Sequence, residues 1–249
     1  MLTFLMSLAL ADEAGDAWLA KVDSANNAGD DAHIVLDLKV TDAKGQPANR
    51  TIEIWQKGDD KRLVRFTAPA RLEGVGLLVP DGETVYFYLP AYERAKRVSG
   101  EQRSDAFMGT DFSYRDLELL TDVIEWKEED ASARSLGMVP WEDGEAERIE
   151  LLPSVKDVGY TRIVVTISRP EVLLRRMEFF EGGKSPVKTL DLGDIREVQG
   201  IPTPGRLTMV RHARGGRTVI EVSEVRYDSG LPARTFTQRS LERGLDAIE

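Results

Sequence analysis

Apolar residues recur at every second position through most of the chain, the period of a strand with one buried face. Residues 33–41 put Ile34, Leu36, Leu38 and Val40 on one side. Residues 50–56 bring Ile52 and Ile54 together, and residues 61–67 bring Val64 and Phe66 together. Gly45 and Pro47 mark the first connection and Gly58-Asp59-Asp60 the second, so the pattern predicts a meander of antiparallel strands. Strands at 75–79 and 84–89 follow across the Pro80-Asp81-Gly82 turn, and 94–98 returns as a strand. The period then stops over 100–112, and 113–120 reads as one or two helical turns with Ser113 and Asp116 at capping-box spacing. Strand signals resume at 122–127, 133–138, 146–152, 161–168, 172–181, 186–191, 206–212 and 217–227. Before all of these, residues 14–28 have helical spacing, with Trp18, Val22 and Ala25 on one face and a stop at Asn26, Asn27 and Gly29.

Turn residues punctuate the strands at intervals near the ~8–12 residues expected of a sandwich or barrel. No repeat or linker divides them, so the chain reads as one β-rich domain over residues 12–249. A single curved sheet with helices in its mouth is one way to close such a core. Residues 1–11 read as a secretory signal: an apolar run from 2 to 10 leads to an Ala9-Leu10-Ala11 cleavage site ahead of Asp12 and Glu13. No Lys or Arg precedes the run, and the competing reading is an apolar cap of the first helix. The run is short of the ~20 apolar residues of a membrane-spanning helix.

Composition narrows the chemistry. The 249 residues are 41% hydrophobic and 31% charged, with a formal net charge of -10. That balance disfavours nucleic acid, whose binding rests on Lys and Arg neutralising phosphates, and stable insertion into or adsorption on an anionic membrane. There is no cysteine, hence no disulfide, no thiolate metal site and no lipid-anchoring cysteine. Two histidines, His33 and His212, lack metal-site spacing and read as strand residues at a surface or sheet edge. No nucleophile elbow and no phosphate-binding loop occurs; Gly74-Val75-Gly76 reads as a bulge or close backbone approach. The acidic runs at 128–130 and 142–143 read as solvated turns. No catalytic residue, metal or cofactor is expected.

The middle of the chain is less ordinary. Residues 84–89 carry bulky groups on both faces, and Phe107, Met108 and Phe112 stand in the stretch without a period, where loops are normally polar. By pattern alone an ordinary core under a packed loop accounts for them. The surrounding sequence, PARLEGVGLLVPDGETVYFYLPAYERAKRVSGEQRSDAFMGTDFSYRDL from Pro69 to Leu117, carries Tyr88-Leu89-Pro90, a basic strand from Arg94 to Arg97, and an FMGTDFSYRDL block from Phe107 to Leu117. A closing FTQRSLER stretch runs from Phe236 to Arg243. These motifs resemble the outer-membrane lipoprotein-sorting protein family, a LolA/LolB-like group, over nearly all of the chain after residue 11. Ala95 and Lys96 depart from the basic pattern of many relatives.

The resemblance implies an α+β, mainly β fold: an incomplete, strongly curved antiparallel β-barrel whose open side is plugged by helices, with an apolar cavity between. It implies a periplasmic, non-enzymatic carrier that holds lipid or lipoprotein acyl chains on their way to the outer membrane, with an RND-type inner-membrane transporter as candidate partner. The alternative is a lipid- or lipoprotein-sensing accessory or scaffold protein of an envelope transporter or signalling system. With that fold, strand parity gives the expected lining: Ile52, Ile54, Val64, Phe66, Phe87, Leu89, Met177, Phe179 and Met209, with Phe107, Met108 and Phe112 on the lid side.

Overall fold

The two-residue period becomes a single antiparallel sheet in the computed structural model. The structure describes residues 29–42, 44–58, 60–82, 84–98, 105–117, 119, 130–142, 144–154, 158–169, 171–213 and 215–245, with Gly15 and Ala17. Among them the strands are β1 Asp31–Thr41, β2 Pro47–Lys57, β3 Lys61–Ala68, β4 Gly76–Val79, β5 Tyr86–Tyr88, β6 Lys96–Arg97, β7 Ala131–Trp141, β8 Gly144–Pro153, β9 Arg162–Ser168, β10 Leu174–Phe180, β11 Lys188–Val198, β12 Ile201–Arg211 and β13 Gly216–Tyr227. Their order is β6-β5-β4-β3-β2-β1-β13-β12-β11-β10-β9-β8-β7. The sheet is not closed. It is an incomplete curved barrel with β6 and β7 as its edges and the β1–β13 pair at its centre.

Cross-strand register carries the apolar parity around the sheet. Ile34, Ile54, Val64, Leu77 and Phe87 stand opposite one another from β1 to β5. Ile149, Val165, Met177, Leu190 and Met209 do the same from β8 to β12. These inner-face residues form one core together with Phe107 and Phe112 from the 105–117 segment. A second, smaller core lies on the outer face, where Leu63, Leu78 and Tyr88 pack under Phe236 and under Leu241 of the C-terminal helix Gln238–Arg243. Thr237 caps that helix by accepting from Ser240 N at 3.2 Å. This second core explains the bulk on both faces of 84–89: Phe87 faces the inner core, while Tyr86 and Tyr88 face the helix.

Several elements differ from the sequence reading. Strand β6 is only Lys96–Arg97. The β11–β12 hairpin runs well past residues 191 and 206, to a turn at Gln199 and Gly200. Gly193, Pro202, Pro204 and Gly205 hide that extension in the sequence, because Gly and Pro are depleted in strands. The ladder skips one pair there without changing register: Asp194 has φ 52°, and a Cβ on Gly205 would lie 2.7 Å from the Asp194 carbonyl oxygen. His33 is a half-buried strand residue of β1, stacked on Trp55 at 5.0 Å and bonded to Glu53 at 3.0 Å. Of the helix expected at 14–28, Gly15 and Ala17 are described, and both are helical. A Cβ on Gly15 would meet the Ala133 carbonyl carbon at 2.9 Å, so this turn rests directly on β7. The expected signal over 1–11 and the expected strand 122–127 lie outside the described residues.

Candidate functional site

Segment 105–117 crosses the open side of the curved sheet and is knit to itself first. Phe107 N donates to Phe112 O at 2.7 Å, and Thr110 Oγ1 donates to Phe107 O at 2.7 Å. Met108 and Gly109 turn the chain through left-handed backbone, at φ 48° and 73°. Such a conformation at a non-glycine residue persists only where surrounding contacts over-determine it. Ser113 and Asp116 then form the reciprocal capping pair expected of their spacing, with Ser113 N donating to Asp116 Oδ2 at 2.6 Å and Asp116 N donating to Ser113 Oγ at 3.1 Å.

Two buried carboxylates fasten the segment to the sheet. Asp116 has no exposed surface. It accepts from Lys188 Nζ of β11 at 2.5 Å and from the Tyr160 hydroxyl at 2.6 Å. Burial and the neighbouring Asp116 push the Tyr160 phenol far above its ordinary range. Asp111 accepts from Thr218 Oγ1 of β13 at 2.8 Å, and Arg211 of β12 stands 3.8 Å from its other oxygen. Gly216 leaves the room: a Cβ there would lie 1.9 Å from Asp111 Oδ1. Aromatic contacts complete the fastening, with Phe107 5.7 Å from Phe66 and 5.3 Å from Tyr114, and Tyr114 edge-on to Phe87 at 6.2 Å.

Between this segment and the sheet lies an apolar cavity of about 170 Å³. Its sheet wall is Ile34, Leu36 and Leu38 of β1, Ile52 and Ile54 of β2, Val64 of β3, Leu77 and Val79 of β4, and Val85, with Leu207 and Ile220 on β12 and β13. Phe107, Thr110, Phe112, Tyr114 and Leu117 form the opposite wall, and Gln56 and Arg62 bring polar groups to one end. A void of this size lined by hydrocarbon repels water and accepts small apolar groups. Two larger grooves, about 640 and 590 Å³, lie elsewhere and are walled mainly by charged and polar side chains. Among the described residues no group of three or more His, Asp or Glu has the arrangement of a metal site. No helix among them is long and apolar enough to cross a membrane.

Of the residues expected to line a lipid cavity, the structure brings Ile52, Ile54, Val64, Phe107 and Phe112 together on its walls. Phe66, Phe87, Leu89 and Met108 pack in the same core without lining it. Met177, Phe179 and Met209 share the inner face but sit farther round the sheet, fully buried, with Phe179 4.8 Å from the Tyr160 ring. Leu36 and Leu38 line the cavity and carry the same parity signal as Ile34. Leu207 and Ile220 carry no signal of proximity to β2, because strand order alone makes them neighbours.

A family model described as "Uncharacterized protein" matches residues 58–243. No curated protein matches the chain. Among solved structures, a domain named for outer membrane lipoprotein sorting from Vibrio parahaemolyticus is 23% identical, with TM-score 0.82 over 93% of this chain and 99% of that one. A DUF1329 family protein from Desulfovibrio piger is 24% identical, with TM-score 0.83 over 94% of this chain and 100% of that one. A LolA superfamily protein from Nitrosomonas europaea is 18% identical, with TM-score 0.73 over 90% and 97%. At these identities the likeness is one of fold.

Proposed function

The chain belongs to the family whose model matches residues 58–243 and has a LolA-like fold, and on that premise we propose that it is a periplasmic carrier of lipid or lipoprotein acyl chains. The observation that carries this reading is the apolar cavity between β1–β4 and segment 105–117. An acyl chain in water gains ~0.8 kcal/mol for each CH₂ it buries, so a hydrocarbon-lined space on a soluble frame is a device for moving lipid through water. At about 170 Å³ the cavity as it stands accepts only part of a long chain. Loading therefore requires segment 105–117 to shift outward, as a lid does. The likeness in fold to a domain named for outer membrane lipoprotein sorting supports delivery toward the outer membrane as part of this reading.

Binding of a fluorescent fatty-acyl probe tests this. Ile54→Asp puts an unpaired charge on the cavity wall and is expected to weaken binding at least about tenfold. Phe179→Ala, in the core away from the cavity, is expected to lower the melting temperature while leaving affinity per folded molecule unchanged. Unchanged affinity in folded Ile54→Asp overturns the reading. Mass spectrometry of lipid extracted from protein purified from its native periplasm identifies the cargo.

A further inference from the structure

Beside the cavity stands a half-buried guanidinium, two of whose nitrogens the fold shields and leaves unanswered. Arg50 lies directly across from Leu38 on β1, and two residues before Ile52 on β2, about 7 Å along the same strand face. Leu38 and Ile52 both line the cavity. The Arg50 side chain reaches the lid, where a Cβ on Gly109 would sit 3.4 Å from Nη2. Its Nε and Nη1 are shielded from solvent and make no hydrogen bond. The charge that bears on it is a second cation, Arg71, in the exposed turn after β3. Burial and that like charge both disfavour protonation of the group.

Buried guanidinium donors are ordinarily paired, because desolvating them without a partner is costly. Here a second cation, the exposed Arg71, stands within electrostatic reach of Arg50, which adjoins the hydrocarbon-lined space through Leu38 and Ile52. The missing partner is therefore an anion, and paired guanidinium forks match the oxygens of a phosphate. Arg62, the cation on the cavity wall itself, is a weaker candidate because it already has an interaction partner.

We propose that Arg50 and Arg71 form a phosphate-binding site at the end of the cavity, and that the cargo is an anionic amphiphile whose phosphate sits between them while its acyl chain enters the cavity. This rests on the carrier reading and names the substrate class of the same site. An acidic headgroup held there lies against Gly109, so the lid segment itself senses whether the anion is present.

Calorimetry with two amphiphiles of the same chain separates the two readings. Lysophosphatidic acid with a palmitoyl chain carries the phosphate, and monopalmitoylglycerol lacks it. The wild-type protein is expected to bind the first at least about tenfold tighter, the size of one charge-assisted contact. Arg50→Gln/Arg71→Gln is expected to erase that preference and keep the affinity for monopalmitoylglycerol. Arg71→Gln alone, at an exposed position that tolerates change, is expected to lower the preference several-fold. Arg62→Gln is expected to retain it. Equal affinity of the wild-type protein for both amphiphiles overturns the phosphate site and leaves the carrier reading standing, as does an undiminished preference in folded Arg71→Gln. Failure of both amphiphiles to bind overturns both readings. Inorganic phosphate binding as tightly as lysophosphatidic acid assigns the site to free phosphate and overturns the lipid proposal.

Discussion

Asp116 ties segment 105–117 to Lys188 of β11 and to Tyr160. Its carboxylate is fully buried and answered by a lysine, a phenol and a backbone N–H. Removing one member of a buried pair leaves the other charge uncompensated, so Asp116→Ala should cost about 3–5 kcal/mol in urea unfolding, and Lys188→Met a comparable amount. The Ser113–Asp116 pairing was legible as a capping spacing. Its ties to Lys188 and Tyr160 were not, since those partners stand 72 and 44 positions away and spacing carries no distance. Gly216 and Asp111 make a second coupled pair. Gly216→Ala must expel the Asp111 carboxylate, so its cost should fall by about 0.5–3 kcal/mol when measured in an Asp111→Ala background, as a double-mutant cycle would read.

At the mouth of β1, Asp31 is held in its charged form. Burial raises its pKa, but hydrogen bonds from the Ser229 hydroxyl and the Leu231 and Ser229 amides, with Lys57 nearby, outweigh that and leave it below 3.8. A lowered carboxyl contributes stability above its unfolded value and loses it as pH falls through the folded one. Asp31→Ala should therefore cost about 2 kcal/mol or more at pH 7, and the difference from wild type should shrink below pH 3.8 in acid melts.

Among the elements, strands were legible wherever apolar and polar positions alternate, as in β1, β2 and β3. Parity fixes the face of a strand and not the place along the sheet. That is why Ile52 and Ile54 could be assigned to one space from sequence, while Met177, Phe179 and Met209, of equal parity, are packed elsewhere. The outer core was illegible because its cover comes from the far end of the chain. Gly76 shows how close that cover sits: a Cβ there would lie 2.7 Å from Leu241 Cδ1 and 2.8 Å from the Val64 carbonyl oxygen. Leu241 is fully buried, so Leu241→Ala should cost roughly 2–5 kcal/mol and expose Tyr86 and Tyr88, which tyrosine fluorescence quenching would report.

Across the whole molecule an open sheet has two edges to protect. Strand β6 is too short to template another strand, and β7 is interrupted by a bulge between Ser135 and Gly137 and by Pro140. The same strand order sets the course of folding. β1 to β6 and β7 to β13 are each a run of hairpins between consecutive strands, whose contacts close short loops. Among the described strand pairs, only the β1–β13 seam joins residues separated by most of the chain, as Ala32 does with Tyr227. Long loops close at an entropic cost that local pairs avoid, so the two meanders should form early and the seam last. Ile220→Val at that seam should then accelerate unfolding and leave the refolding rate nearly unchanged in stopped-flow measurements, a φ-value near zero.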